Sequence, residues 1–152
     1  MPVLGTPLTR RQVQIIAGLA RGESNIEIGR KLFLSALTVK THIQRIGAAT
    51  GCSSRAAKVD HGYRTGILAG LPPESRPPAN LSELDQQVLE GMARGLANVE
   101  IGWELGVTEG VVAGHATRLF RRLGARDRAH AVGLGHQQGL LGADVEQQRE
   151  AA

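Results

Sequence analysis

The first seventy positions break into four apolar runs at helical spacing, each opened by a hydroxyl residue. Thr9-Arg10-Arg11-Gln12 has the capping-box form, with a hydroxyl and a carboxamide three apart, and Val13, Ile16, Leu19 and Ala20 follow on one face. This predicts a helix over 10–21, stopped at Gly22. Ser24 and Glu27 repeat the capping pattern ahead of Ile28 and Leu32, which predicts a short second helix. Leu34-Ser35 forms a turn, and Ser35 caps a third helix over 36–50, with Val39, His42 and Ile46 on its apolar side and Gly51 at its end. Ser54 caps a fourth helix, expected over 55–68.

The same pattern is then written again. Residues 81–141 align with residues 8–68 at a constant offset of 73 with no gap, and about a third of the positions are identical. Gly18, Asn25, Glu27, Ile28, Gly29, Val39, His42, Arg55 and Gly62 are among those that recur. Between the copies, Pro72-Pro73 and Pro77-Pro78 make a stiff, partly extended linker. The expected architecture is all-α: two tandem four-helix helix-turn-helix domains (1–70 and 81–142), joined by a Pro-rich linker (71–80) and followed by a polar tail (143–152).

Composition adds little except in its division. Aromatic residues are 3% of the chain, so the cores must be aliphatic. The single cysteine, Cys52, rules out an intramolecular disulfide and suits a reducing cytoplasm. No apolar run approaches membrane-spanning length and the N-terminus lacks a signal pattern, so a cytoplasmic protein that does not engage a membrane is expected. Charge, by contrast, separates the copies. Residues 1–72 hold ten Lys and Arg against Glu23, Glu27 and Asp60, a net +7, whereas residues 73–152 hold eight Arg against eleven acids, a net −3. A basic small domain is the footprint of polyanion binding, and its acidic twin would be repelled by the same phosphates.

Several ordered blocks of the first copy carry a family resemblance. Leu8-Thr9-Arg10-Arg11-Gln12, Ser24-Asn25-x-Glu27-Ile28, Ser35-x-x-Thr38-Val39-Lys40-Thr41-His42, Ile46 and Ser53-Ser54-Arg55-x-Ala57 together resemble the LuxR-type (NarL/FixJ, GerE-like) DNA-binding domain. Region 4 of sigma factors shares the opening block and the helix-turn-helix, but the Thr-Val-Lys-Thr-His run and the Gly-x-Ser-Ser-Arg ending favour the LuxR type. The resemblance implies that helix 36–50 enters the major groove, with Lys40, Thr41 and Gln44 facing bases. Their chemistry suits that role: Lys donates to guanine, Gln bonds adenine in bidentate fashion, and the Thr methyl meets a thymine methyl. Ser35 and Thr38 at the helix start, with Arg45, Arg30 and Lys31 beside them, are expected to hold phosphate.

The resemblance also implies a structural ion pair, Glu27 with Arg55, repeated as Glu100 with Arg128, and a dimer contact through the fourth helix. There both copies space glycines four apart, Gly62 with Gly66 and Gly135 with Gly139, an arrangement that lets a second helix approach closely. Where the first copy has Lys40, Thr41 and Gln44, the second has Ala113, Gly114 and Thr117, which lack the reading chemistry. A cluster of Arg118, Arg121, Arg122, Arg126 and Arg128 leaves room for sequence-independent phosphate contact. His42 and His115 lie on the apolar side of their helices and are expected to be packed.

The expected function is therefore a bacterial transcription regulator that binds double-stranded DNA through the first repeat. The second repeat would serve dimerisation, as a homodimer contact or an intramolecular pseudo-dimer, or dock a partner. The alternative is a protein-interaction module that contacts RNA polymerase or another regulator without reading DNA. A cytoplasmic, nucleoid-associated location follows from the first reading. No enzyme activity, cofactor or metal is expected: paired carboxylates, a nucleophile motif and a phosphate-cradling Gly loop are missing, and His61, His130, His136 and Cys52 share no zinc spacing. Only seven residues precede Leu8, so no receiver or ligand-binding domain is expected ahead of it.

Overall fold

The computed structural model describes residues 3–142. The expected polar tail lies outside the described residues. Within them are eight helices and no strands: α1 Arg10–Ala20, α2 Asn25–Leu32, α3 Ala36–Thr50 and α4 Arg55–Arg64 in the first repeat, then α5 Glu83–Ala93, α6 Asn98–Leu105, α7 Glu109–Leu123 and α8 Arg128–Gln137 in the second. The caps form as the sequence reads. Thr9 and Ser24 each accept from the backbone N–H three residues on, and Gln12 and Glu27 return the bond to the cap residue, closing both capping boxes. Ser35 and Ser54 cap α3 and α4. In the second repeat Ala97 stands at the α6 cap, where it has no acceptor to offer, and only the Glu100 half of the box remains.

Helix α4 is shorter than expected. It ends at Arg64, and the chain turns through Gly66 at φ 80° so that Leu68 folds back into the core. This turn overturns the reading of the paired glycines as a helix-approach surface. A Cβ on Gly62 would stand 2.9 Å from Leu68 and 3.2 Å from Ile16, both of its own repeat, and Gly135 is likewise closed over by Leu141 and Leu89. Gly66 and Gly139 lie beyond their helices, at positive φ and in open space. The first glycine of each pair thus admits the returning leucine, and the second makes the turn that returns it.

The two repeats pack on each other through α4 and α8, with α1 against α8 and α5 against α4. Because α1 corresponds to α5 and α4 to α8, the packing has an approximate two-fold relation like that of an isologous dimer, within one chain. The core runs continuously through both repeats, from Ile15, Ile16, Leu19, Ile28, Val39, Ile46 and Val59 to Val88, Leu89, Ile101, Val112, Leu119, Val132 and Leu134. Polar groups fix the register of the packing. His136 Nε2 lies 2.7 Å from Asp60 Oδ1, its ring stacks on Tyr63 at 4.9 Å, and Gln137 donates to the Tyr63 hydroxyl. Gly133 lets α8 approach the end of α1 closely, since a Cβ there would stand 2.8 Å from the Ala20 carbonyl oxygen.

Linker residues are drawn into this interface. Glu74 bridges His130 and Arg21, one from each repeat. His130 accepts the Arg126 backbone N–H on Nδ1, so the proton shared with Glu74 sits on Nε2.

In the second repeat Gly114 lies inside α7, and a Cβ added to it would meet nothing within 4 Å, so the glycine adds backbone freedom without a packing return. Gly114→Ala should raise stability by about 1 kcal/mol, read as a shift in the urea midpoint at unchanged slope.

Candidate nucleic-acid interface

Helix α3 stands on the outside of the first repeat. Val39, Ile46 and Ala49 anchor it to the core, and α2 holds its start through a three-residue turn. Leu34 N–H donates to the Gly29 carbonyl at 2.8 Å, and Phe33 takes the left-handed conformation at φ 58°. With the apolar side fixed, the opposite side must face solvent. Lys40, Gln44 and Arg45 are exposed there, one turn apart or adjacent. Thr41 is half-buried and its hydroxyl donates to the Leu37 carbonyl, which leaves its methyl as the group for contact.

At the start of α3, Ser35 and Thr38 are exposed, their hydroxyls 2.9 Å apart, with the Thr38 N–H held by Ser35 Oγ. Arg30 is exposed on α2. Lys31 is exposed but its ammonium pairs with Glu23, which reduces what it can offer a phosphate. Sequence reasoning missed Leu37, 73% exposed on the same outward stripe as Lys40, Thr41 and Gln44. The signal was present, since an apolar residue at 37 is out of phase with Val39, His42 and Ile46.

The equivalent surface of the second repeat carries exposed Ala113, Gly114 and Thr117 on α7. The arginine cluster expected there is dispersed by the fold. Arg122 bonds Asp85 and the Asn80 carbonyl, Arg126 forks onto Glu27, and Arg128 bonds Asn98 and the Leu96 carbonyl, so Arg118 and Arg121 are the members left facing solvent without a partner among the described residues.

Residues 6–61 and 79–134 both match the family described as GerE, bacterial regulatory proteins, luxR family. The chain belongs to the LuxR family. Its relatives include the transcriptional regulatory protein YdfI of Bacillus subtilis (strain 168), 35% identical over 71 residues, which are 47% of this chain and 33% of that protein. Two others from the same strain are the uncharacterized transcriptional regulatory protein YxjL, 37% identical over 65 residues (43% and 30%), and the transcriptional regulatory protein LiaR, 36% over 61 residues (40% and 29%). The chain spans about a third of the length of the curated relatives it matches. The two family matches coincide with the duplication and with the two sets of four helices.

The ion pairs expected from the LuxR resemblance do not form. Arg55 donates to Asn25 Oδ1 at 2.8 Å and to the Glu23 carbonyl at 3.0 Å, and Arg128 makes the matching bonds to Asn98 and Leu96. Both arginines therefore tie the start of the fourth helix to the loop before the second, but through an amide and a carbonyl. Glu27 is engaged instead by Arg126 of the other repeat, in a two-bond fork at 3.0 and 3.2 Å. That fork, with the Ser24 backbone N–H, draws the Glu27 carboxyl down to about 2. Glu100 has no such partner across the interface because Ser53 stands where Arg126 would; its carboxylate caps Ala97.

His42 and His115 also part company. His115 Nδ1 lies 2.6 Å from the buried carboxylate of Asp85, while Nδ1 of His42 is buried without a hydrogen-bond partner. Both histidines lie half-buried against the core side of their helices, and His115 in addition holds a carboxylate, a partner that exists because Asp85 replaces the Gln12 of the first repeat. Among the described residues no group of three or more His, Cys, Asp or Glu is placed to hold a metal, and no helix is long and apolar enough to cross a membrane.

Proposed function

We propose that this LuxR-family chain is a DNA-binding transcription regulator that reads duplex DNA through α3 of its first repeat, with the second repeat serving as a built-in dimer partner. The observation that carries this is the contrast between two equivalent helices. The outward side of α3 offers Lys40, Thr41 and Gln44, whereas α7 offers Ala113, Gly114 and Thr117 at the same positions; Arg45, which recurs as the exposed Arg118, is common to both. In this reading Lys40 and Gln44 bond base edges, Thr41 and Leu37 meet thymine methyls, and Ser35, Thr38, Arg45 and Arg30 hold the backbone. The nucleoid is then where the protein acts.

Packing of α4 on α8 supplies the pairing that a LuxR-type dimer would obtain from a second chain. One equipped face and one bare face imply a single half-site, so duplicating that half-site as a palindrome should not raise the affinity of one molecule. Fluorescence anisotropy of the full chain against mixed-sequence and selected duplexes over a salt series tests the reading. Binding should weaken steeply with salt, and Lys40→Ala should lower affinity about tenfold or more. Absence of binding at low salt, or binding indifferent to Lys40→Ala and Gln44→Ala, would refute it and leave the alternative of a protein-interaction module. The exposed Trp103 is what that alternative would build on.

A further inference from the structure

Both repeats expose apolar side chains on the face made by their second and third helices, but in opposite electrostatic settings. On the second repeat, Val99 and Trp103 sit one turn apart on α6, and Val111 lies in the first turn of α7; Trp103 is 75% exposed. The corresponding first-repeat residues are Ile26, Arg30 and Thr38, so two of these three positions have changed from polar to apolar. Around them stand the exposed carboxylates Glu100, Glu104 and Glu109, of which Glu104 is shared with Arg94.

The first repeat carries the complement. Phe33 is 95% exposed, Leu37 and Ile26 are also exposed, and Arg30, Lys31 and Lys40 lie about them. Phe33 is moreover held in the left-handed region, where the second repeat has Gly106 at φ 68°. A side chain other than glycine is strained in that conformation, because its Cβ crowds the following carbonyl oxygen. The turn's N–H bonds to the Gly29 carbonyl account for the backbone conformation at residue 33, but not for a phenyl ring there in place of glycine, and that fully exposed ring points to a contact outside the chain.

We infer that the α6–α7 face of one molecule docks on the α2–α3 face of a second copy of this chain. The acidic rim with Trp103 at its centre meets the basic rim with Phe33 and Leu37 at its centre, matching charge to charge and apolar area to apolar area. A buried indole supplies the anchor. Each molecule exposes both faces at once, so the contact is head-to-tail and adds further copies until a ring closes or an end is capped. DNA would compete for the basic face; that consequence alone rests on the proposed function.

The test is sedimentation velocity of the full chain over a concentration series to about 100 µM at low salt, the range of weak transient contacts, alongside the emission of Trp103, the chain's single tryptophan. Mass should rise above the 16.1 kDa of one chain as concentration rises, with a blue shift of the indole emission. Trp103→Ala should weaken association about tenfold or more, with unchanged circular dichroism. Two charge-reversed variants sharpen the result: Glu104→Lys with Glu109→Lys, and Arg30→Glu with Lys40→Glu, should each remain monomeric alone and associate when mixed. A wild-type chain that stays monomeric throughout, or an association that ignores both Trp103→Ala and the charge reversals, overturns the inference. Adding duplex DNA separates the two proposals: duplex that binds but leaves the assembly mass unchanged rejects the shared basic face, while duplex that never binds speaks against the DNA-reading function and leaves the docking result standing.

Discussion

Gly29→Ala is expected to lower stability by about 3 kcal/mol and to remove tight DNA binding, although residue 29 lies on neither the reading face nor the repeat interface. A Cβ at this position would stand 2.3 Å from the Leu34 carbonyl oxygen, a backbone atom that cannot swing aside as a side chain would. Leu34 is itself fixed by its N–H bond to the Gly29 carbonyl. Relief therefore requires the α2–α3 turn to open, which breaks that bond and shifts the start of α3. Overpacking against rigid neighbours costs about 1–3 kcal/mol, sometimes more, and at about 2–4 °C per kcal/mol for a chain of this size the melting midpoint should fall by roughly 6–12 °C.

The DNA effect rests on the proposed reading role of α3: Ser35, Thr38 and Lys40 are all placed by that turn, and a small misplacement of a rigid reading element would separate several contacts together. Gly102→Ala provides the control. Its Cβ would stand 2.7 Å from the Val107 carbonyl oxygen in the equivalent turn, so stability should fall comparably while DNA affinity changes little, the second repeat being the bare one. Thermal melting and the anisotropy series together decide the matter. A Gly29→Ala protein that melts like wild type would disprove the steric argument, and equal loss of DNA binding from both substitutions would disprove the division of labour.

Local signals in this sequence were legible because they are encoded by residues a few positions apart. The Thr9–Gln12 and Ser24–Glu27 boxes, the Ser35 and Ser54 caps and the outward stripe from Lys40 to Gln44 all depend on spacings of three or four residues, and all take the positions the pattern implies. What could not be read depends on how the repeats meet. The partner of Glu27 is Arg126, 99 residues away, and no rule of spacing selects it over Arg55. The paired glycines misled for a related reason: four-residue spacing has meaning only inside a helix, and α4 stops before Gly66. Comparison of the copies would have found more. Position 12 is Gln in one and 85 is Asp in the other, above a histidine common to both, and that difference marks a buried carboxylate with its partner already present.

The second large effect belongs to that carboxylate. Asp85→Ala should destabilise the protein by about 3 kcal/mol, because Asp85 is fully buried and joins α5 to α7 through His115 Nδ1 at 2.6 Å and Arg122 Nη1 at 3.1 Å, while Ser82 receives its backbone N–H in the cap. Removing the carboxylate leaves a cavity beneath α7 and takes the bond partner from the largely buried His115 imidazole, while the partly exposed Arg122 keeps the Asn80 carbonyl and turns to water. Burial alone would push the Asp85 carboxyl up, but the bonds from His115 and Ser82 outweigh it and hold it below its ordinary value. A carboxyl lowered on folding binds its proton more readily in the unfolded chain. Its stabilising contribution is thus complete above the unfolded value, near pH 4, and is lost as pH falls through the lower folded value.

Asp85→Asn separates charge from shape, since the amide oxygen can still accept from His115. Asp60 and Glu74 are also lowered on folding and contribute their own acid dependence, so the informative quantity is the difference between wild type and Asp85→Asn. Urea denaturation from pH 6 to pH 2 should show the stability gap between the two proteins narrowing as the solution becomes more acidic, with most of the change below pH 4. A gap that stays constant over that range would mean Asp85 contributes through packing alone, and a gap that widens in acid would reverse the sign of the argument.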